Sequence, residues 1–190
     1  MIELGLSGFA AIILAGGQGS RLGGVEKGSI ELHGRTLLDR ALDAVIDASE
    51  VVVVGPQVPT ERPATFVVEE PRYGGPAAGL LTGRDALLRN FPTIAVLAVD
   101  MPHLAPATFR RLQEAAVGHE GAVLADPDGF RELVLVVETA RLDAVRPDRE
   151  AQHNLAMRDL LGPLDLAEVE PAGLEARDVD TWSDLRDLSS

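Results

Sequence analysis

Five glycines, Gly16, Gly17, Gly19, Gly23 and Gly24, fall within nine residues directly behind the apolar run Phe9–Leu14. No other feature limits the fold of this 190-residue chain as much. An unbroken apolar run of six residues suits a strand covered on both faces, as in a mostly parallel sheet. Glycines at its end let the backbone approach a ligand closely and adopt positive φ. Successive free N–H groups in such a loop form a concavity for an anion. Arg21 and Lys27 add two cations to the same loop. Their setting is unusual, because the chain has sixteen Arg, one Lys and 30 acidic residues, with a formal net charge of −13. That one lysine is Lys27. The coincidence of glycines, Arg and Lys argues against a merely flexible turn.

The acidic balance excludes non-specific adhesion to nucleic acid or to an anionic membrane surface, since both are polyanions. A small anionic ligand remains allowed where positive charge is concentrated locally. The chain has no Cys, which excludes disulfides, thiolate zinc sites and thiol nucleophiles. His33, His103, His119 and His153 are scattered, show no metal-ligand spacing and read as surface or cap residues. Met1 to Ala15 is apolar enough to resemble a secretory leader. Glu3, however, stands where a leader carries Lys or Arg, and the glycines make the run too short to span a membrane. It reads as a first strand, and the expected location is the cytoplasm.

Further strands are expected at Val51–Val54, Phe66–Val68, Thr93–Val99, Ala122–Ala125 and Leu133–Val137. Between them, Leu37, Leu38, Ala41, Leu42, Val45 and Ile46 make one apolar helical stripe. Pro76 to Arg89 and Pro106 to Val117 read as two more helices, the latter with Phe109, Leu112 and Ala116 inward. A last helix follows Thr181, with Trp182, Leu185 and Leu188 on one face. Thr36 with Asp39, and Thr181 with Asp184, have the spacing of helix-capping pairs. Strand–helix alternation predicts an α/β fold with right-handed crossovers, in one domain over residues 1–190. The Pro-rich piece from Val54 to Pro63 reads as a surface connection. Arg141 to Pro171 should hold short helices and one edge strand.

Two well-known glycine motifs do not fit. A dinucleotide fingerprint counted from Gly17 and Gly19 would need a third Gly where Leu22 stands. A P-loop needs Gly before its Lys and Ser or Thr after it, but Glu26 and Gly28 flank Lys27. Asp100 closes the strand Thr93–Val99 and is followed by Met-Pro-His. In parallel α/β sheets ligands gather outside the carboxyl ends of strands, which puts Asp100 at the edge of the glycine loop. On position alone it could also be a turn or cap residue. Alternation places Asp178 and Asp180 on one side of an extended segment. Together with Asp100 they could offer hard oxygen ligands to Mg²⁺, while Asp180 could equally be an N-terminal helix charge. Arg72-Tyr-Gly-Gly-Pro-Ala-Ala-Gly79 could be a second backbone-lined loop, flat enough for a planar ring, or a close-packed helix start. Asp126-Pro-Asp-Gly129 is a turn signature.

These residues resemble a known family. Leu14-Ala-Gly-Gly-Gln-Gly-Ser-Arg-Leu-Gly-Gly-Val-Glu-Lys27, followed by Gly34-Arg-Thr-Leu-Leu38, resembles the opening of MobA-like nucleotidyltransferases. Gly75-Pro-Ala-Ala-Gly79, Ala98-Val-Asp-Met-Pro102 and Asp178-Val-Asp-Thr181 are similar to the family's later motifs, so the likeness runs from about Ala10 to Leu188. The resemblance implies a three-layer α/β/α sandwich with a mostly parallel sheet, of the nucleotide-diphospho-sugar-transferase type. It implies a Mg²⁺-dependent transfer of GMP from GTP to molybdopterin or its molybdenum-loaded form, with release of pyrophosphate. Carried onto this chain, Leu14, Ala15, Gly16, Gly17 and Gly19 would hold the nucleotide. Arg21 and Lys27 would contact its phosphates and serve as catalytic residues. Gly79 would approach the base, Glu69 or Glu70 (with Glu70 preferred) would contact the nucleotide, and Asp100 with Asp180 would bind Mg²⁺.

The chain also departs from the family pattern. Glu26 replaces an Asp often found before the lysine, and Gly55-Pro56 stands where an Asn often follows the second strand. Glu69 and Glu70 stand where an Asp is expected, and Asp178 and Asp180 where guanylyltransferases often have Asn. The last feature resembles cytidylyltransferase relatives. The alternatives are therefore cytidylyl or other nucleotidyl transfer to molybdopterin or to a sugar or alcohol phosphate. A nucleotide-binding partner protein without turnover is the alternative of another class. Arg131 and the stretch Gln152 to Arg158 are candidate acceptor contacts. No feature sets an oligomeric state.

Overall fold

The computed structural model describes residues 8–16, 25–70 and 74–188. In chain order the strands are β1 (Phe9–Leu14), β2 (Glu31–Leu32), β3 (Arg35–Thr36), β4 (Glu50–Val54), β5 (Thr65–Val67), β6 (Thr93–Ala98), β7 (Gly121–Ala125), β8 (Arg131–Glu138) and β9 (Leu166–Val169). The helices are α1 (Leu37–Ala44), α2 (Pro76–Ala86), α3 (Pro106–Ala115), α4 (Thr139–Val145), α5 (Met157–Leu161) and α6 (Trp182–Leu188). Among the described residues, seven strands form one sheet in the order β5-β4-β1-β6-β8-β7-β9. All neighbours are parallel except β8, which runs antiparallel to both β6 and β7. The mostly parallel three-layer α/β architecture read from the sequence is the one observed.

The apolar strands are continuous because each is covered twice. Ala11 and Ile13 of β1 face α1 and α3, where Leu38, Leu42, Phe109 and Leu112 complete one core. Ile12 and Leu14 face the other way, onto Leu80 and Leu81 of α2, Leu142 of α4 and Leu160 of α5. This is the period-two alternation of a strand with both faces buried. Gly83 permits the tight approach of α2, since a Cβ there would lie 2.6 Å from Ile12 Cγ2.

The helix starts follow the expected chemistry. Thr36 Oγ1 accepts the Asp39 N–H at 3.0 Å and donates to the Asp39 carboxylate at 2.7 Å. Thr181 and Asp184 exchange backbone-to-side-chain bonds at 3.2 and 2.7 Å. The ends differ from expectation. α2 stops at Ala86 and α3 at Ala115, since Leu87 is extended and the left-handed Gly118 turns the chain after α3. In α6, Leu185 and Leu188 pack on the core, but Trp182 is 44% exposed and does not share their inward face. The β2–β3 hairpin was not read from the sequence, because two-residue strands carry no periodic signal. Its turn residues His33 and Gly34 both have positive φ, as a tight two-residue hairpin turn requires. Asp126-Pro-Asp-Gly129 forms the expected turn, closed by Gly129 N–H to Asp126 O at 2.9 Å. The Arg141 to Pro171 stretch holds most of α4, a short 3-10 turn, α5 and the edge strand β9. Among the described residues no helix is long and apolar enough to cross a membrane.

Candidate active site

A cavity of about 430 Å³ opens where β1, β4 and β6 end and β8 begins. Leu14, Ala15 and Gly16 form one wall, Gly75, Pro76 and Gly79 another, and Ala98, Val99 and Asp100 the floor, with Val54, Glu69, Leu133 and Lys27 completing it. The sheet ladder holds the first wall in place: Ala15 N–H donates to Val54 O at 2.9 Å, and Val99 N–H to Leu14 O at 3.0 Å. Gly55 is what allows this crossing. A Cβ there would lie 2.8 Å from the Ala15 carbonyl carbon and 3.0 Å from Gly16 N. Any residue with a Cβ at position 55 would have to displace the Ala15–Gly16 backbone. Gly79 has a related role, because a Cβ would come within 3.3 Å of Leu14 Cδ2 and 3.8 Å of Glu69 Oε2. A side chain larger than a methyl group there would intrude on the cavity.

Lys27 brings distant carboxylates together. Its Nζ donates to Asp100 Oδ2 at 2.6 Å and to Asp180 Oδ1 at 2.8 Å. A 3-10 turn, Lys27–Ser29, follows the glycine loop and points the lysine at the end of β6. Burial pulls the Lys27 ammonium towards neutrality, but its bonds to Asp100 and Asp180 and their charges outweigh that and hold its pKa above the usual value. The acids nearby are crowded. Burial, then repulsion from Asp180 and Asp100, pushes Asp178 up. Burial, then Asp178, Asp126 and Asp100, does the same to Glu132. Among the described residues, the mouth therefore carries excess negative charge around the Lys27 ammonium, an arrangement suited to receiving a cation.

The donor set is that of a site for a divalent metal shared with a ligand. Asp100 and Asp180 direct two hard oxygens at one cationic centre, now the lysine nitrogen. Mg²⁺ is commonly bound by one or two carboxylates plus substrate phosphates and water. Among the described residues no group of three or more His, Cys, Asp or Glu could hold a metal. The residues thus fit a metal that completes its shell with oxygens of a bound triphosphate.

The sequence-predicted residues divide as follows. Leu14, Ala15, Gly16, Lys27, Gly79 and Asp100 meet at the cavity, and Asp180 reaches it through Lys27. Gly17, Gly19 and Arg21 lie outside the described residues. Glu70 is not brought to the cavity. Its carboxylate meets Arg149 at 3.0 Å and its backbone N–H donates to Thr82 Oγ1 at 3.0 Å, while Glu69 faces inward instead. The chain bends at Glu70, beyond the end of β5, and the bonds to Thr82 and Arg149 turn that glutamate away from the cavity. Val54, Leu133 and Ala98 also line the cavity but leave no mark in the sequence, because an apolar lining has no signature separate from core. Arg131 is paired with Glu168 at 3.0 Å. Gln152 is buried and donates to Pro147 O at 2.9 Å, while Asn154 N–H donates to Gly74 O at 3.0 Å. That stretch buttresses the glycine wall of the cavity.

The MobA-like NTP transferase domain family matches residues 11–168 of this chain. The chain belongs to that family. The match includes Lys27 and Asp100 and every strand of the sheet except the first two residues of β1 and the last of β9. A molybdenum cofactor guanylyltransferase of Acidiphilium cryptum is 39% identical over 141 residues, covering 71% of this chain and 69% of that protein. The matched stretches span 64% of the next two curated guanylyltransferases, from Natronomonas pharaonis and Pseudomonas entomophila, so the chain covers about two thirds of these relatives' length. Among solved structures, the molybdopterin-guanine dinucleotide biosynthesis protein A of Archaeoglobus fulgidus superposes with a TM-score of 0.70 at 20% identity, covering 95% of this chain and 96% of that one. The 2-C-methyl-D-erythritol 4-phosphate cytidylyltransferase of Thermus thermophilus gives 0.72 at 22% identity, covering 94% and 96%. A Mycobacterium tuberculosis protein solved with manganese gives 0.69 at 20% identity, covering 96% and 98%. MobA-like NTP transferases thus share this fold with transferases of other bases.

Proposed function

We propose that this chain transfers GMP from GTP to molybdopterin, or to its molybdenum-loaded form, and releases pyrophosphate. The observation that carries the reading is the meeting of Lys27, Asp100 and Asp180 at the edge of a cavity walled by glycine backbone. Membership of the MobA-like family and the names of the curated relatives support the choice of GTP and molybdopterin. One nucleotidyltransferase domain over residues 1–190, working in the cytoplasm, completes the proposal.

The chain's residues account for the chemistry as follows. Phosphoryl-type transfer depends on positioning and charge neutralisation more than on covalent chemistry. The Leu14–Gly16 backbone and Gly79 leave room for the nucleotide along the cavity. Lys27, protonated throughout the neutral range, is placed to meet phosphate oxygens as a point charge. Arg21, on the same loop in sequence, would add a second cation. When bound, Mg²⁺ would supply further charge neutralisation, with Asp100 and Asp180 as the residues that hold it. The acceptor phosphate is already an anion and attacks the α-phosphorus in line, so no general base is required. None of the four histidines is among the residues lining the cavity.

A second reading has one specific support. Asp178 and Asp180 stand where guanylyltransferases often carry Asn, which favours CTP. Pyrophosphate release with GTP or CTP, Mg²⁺ and molybdopterin tests both. Release with GTP alone supports guanylyl transfer, and release with CTP alone supports the second reading. Nucleotide binding without release would mean a binding protein and would overturn the enzyme assignment.

A further inference from the structure

β9 ends at Val169, and the chain must then return along the sheet edge to bring Asp180 to Lys27. The register of that return is set by a carboxylate outside the cavity. Glu175 is 6% exposed. Its Oε1 accepts from Thr108 Oγ1 at 2.5 Å and Arg111 Nη1 at 3.0 Å. Its Oε2 accepts from Arg111 Nη2 and from the Ala172 N–H, both at 2.7 Å. Thr108 and Arg111 belong to α3, so the bonds tie the returning segment to the body of the fold across more than sixty residues of sequence. A buried carboxylate with four donors, two from one planar guanidinium, has little freedom to move.

The tie is transmitted over a short distance. Between Glu175 and Asp180 the chain is held by Arg177 N–H to Leu174 O at 2.9 Å and by Val179 N–H to Asp100 O at 2.8 Å. The Val179 side chain is fully buried. The Leu174–Arg177 turn at one end and the Val179 bond to Asp100 at the other leave few free residues between Glu175 and Asp180. Asp184 of α6 also accepts the N–H of Asp180, at 3.1 Å, which joins Asp180 to the helix that follows it and not to α3.

We propose that Glu175, clamped by Thr108 and Arg111, is a positioning residue that sets the Asp180 carboxylate against Lys27 and Asp100 from outside the cavity. This rests on the reading of Lys27, Asp100 and Asp180 as the phosphate- and cation-binding set. Lys27 is the one lysine of the chain. Protein grown with ε-¹³C-lysine therefore gives a single lysine side-chain signal, which reports whether Asp180 lies beside it.

In the ligand-free full-length protein, Asp180→Asn should displace that signal. Glu175→Ala should reproduce at least about half of the displacement, and the double variant should go no further than Asp180→Asn alone, because the two act through one contact. Glu175→Gln, which keeps an acceptor for Thr108 and Arg111, should restore most of the wild-type position. Should Glu175→Ala not fold, Thr108→Val and Arg111→Met carry the same expectation. Mn²⁺ titration followed by electron paramagnetic resonance, with GTP present, provides the second readout. Asp180→Asn and Glu175→Ala should each weaken Mn²⁺ binding at least about tenfold, since loss of even an orienting partner at a metal site costs 10–100-fold. A wild-type lysine signal in a folded Glu175→Ala protein overturns the proposal, and so do additive displacements. If both variants move the lysine signal while Mn²⁺ affinity is unchanged, the positioning role stands and the cation-site reading fails.

Discussion

Glu175 and Asp180 lie on one short segment, yet their carboxylates sit in opposite settings. Glu175 is buried and fully satisfied by Thr108, Arg111 and the Ala172 N–H. The Asp180 side chain is 40% exposed and meets Lys27, whose own side chain is 24% exposed. Arginine suits the first setting because its planar fork bonds a carboxylate bidentately. Lysine suits the second because a compact ammonium on a flexible stem can exchange one anion for another. Half-exposed pairs of the second kind contribute about 0–1 kcal/mol to stability, so little is lost when a ligand's phosphates or a metal replace them. The comparison separates charges that fix the backbone from charges kept available for a ligand.

The sharpest way to break that contrast is Lys27→Ala. Turnover, read as pyrophosphate release, should fall on the order of 10²–10³-fold, the usual loss for a group that stabilises transition-state charge. Its melting temperature should move by only about 2–4 °C, the shift for roughly 1 kcal/mol in a domain of this size. A near-normal rate would make Lys27 a structural partner like Arg111. Next in size is Asp100→Asn. The Mg²⁺ concentration for half-maximal activity should rise at least about tenfold, since even orienting partners at metal sites are worth 10–100-fold. Unchanged Mg²⁺ dependence would remove Asp100 from the metal set.

The Glu175 cluster should respond to pH. Burial raises the Glu175 pKa, but the bonds from Arg111, Thr108 and the Ala172 N–H outweigh it, and the net pKa is below the usual value. A depressed carboxyl gives stability that is fully present above its unfolded pKa and lost as pH falls through the folded one. Wild type should thus lose stability on acidification below about pH 4.5. Glu175→Gln should cost roughly 1–3 kcal/mol at pH 7 in urea melts and show a shallower acid limb. Equal acid limbs in the two proteins would mean the cluster does not hold the segment. Gly55→Ala should cost roughly 1–3 kcal/mol, since its Cβ meets the Ala15 backbone, and should also weaken nucleotide binding by shifting the Leu14–Gly16 wall. The smallest effect belongs to Glu132. Its carboxyl is held up by burial and by Asp178, Asp126 and Asp100, so its charge opposes folding at neutral pH. Glu132→Gln should stabilise the ligand-free protein by about half a kcal/mol at pH 7, and the gain should vanish as pH falls below the raised carboxyl value.

Much of this is legible in the sequence. Phe9–Leu14 matched β1 residue for residue because a doubly covered strand must be apolar throughout. Thr36 with Asp39 and Thr181 with Asp184 marked helix starts because capping is a local bond. Lys27, Asp100 and Gly79 stood out because their types are out of place: the single lysine, an acid closing an apolar strand, a glycine inside a helix. The antiparallel β8 was not legible, because strand direction depends on which neighbour a strand meets. Nor was the choice between Glu69 and Glu70, since a one-residue difference in facing leaves no trace in composition. The sequence by itself determined the strand–helix alternation, the glycine loop and the separate acids, all of which arise from local periodicity and residue chemistry. Only the tertiary structure decided that Asp100 and Asp180 share one ammonium and that Glu175 is tied to α3. Those contacts join residues far apart in the chain, and no local rule fixes which distant partners a folded backbone brings within hydrogen-bonding reach.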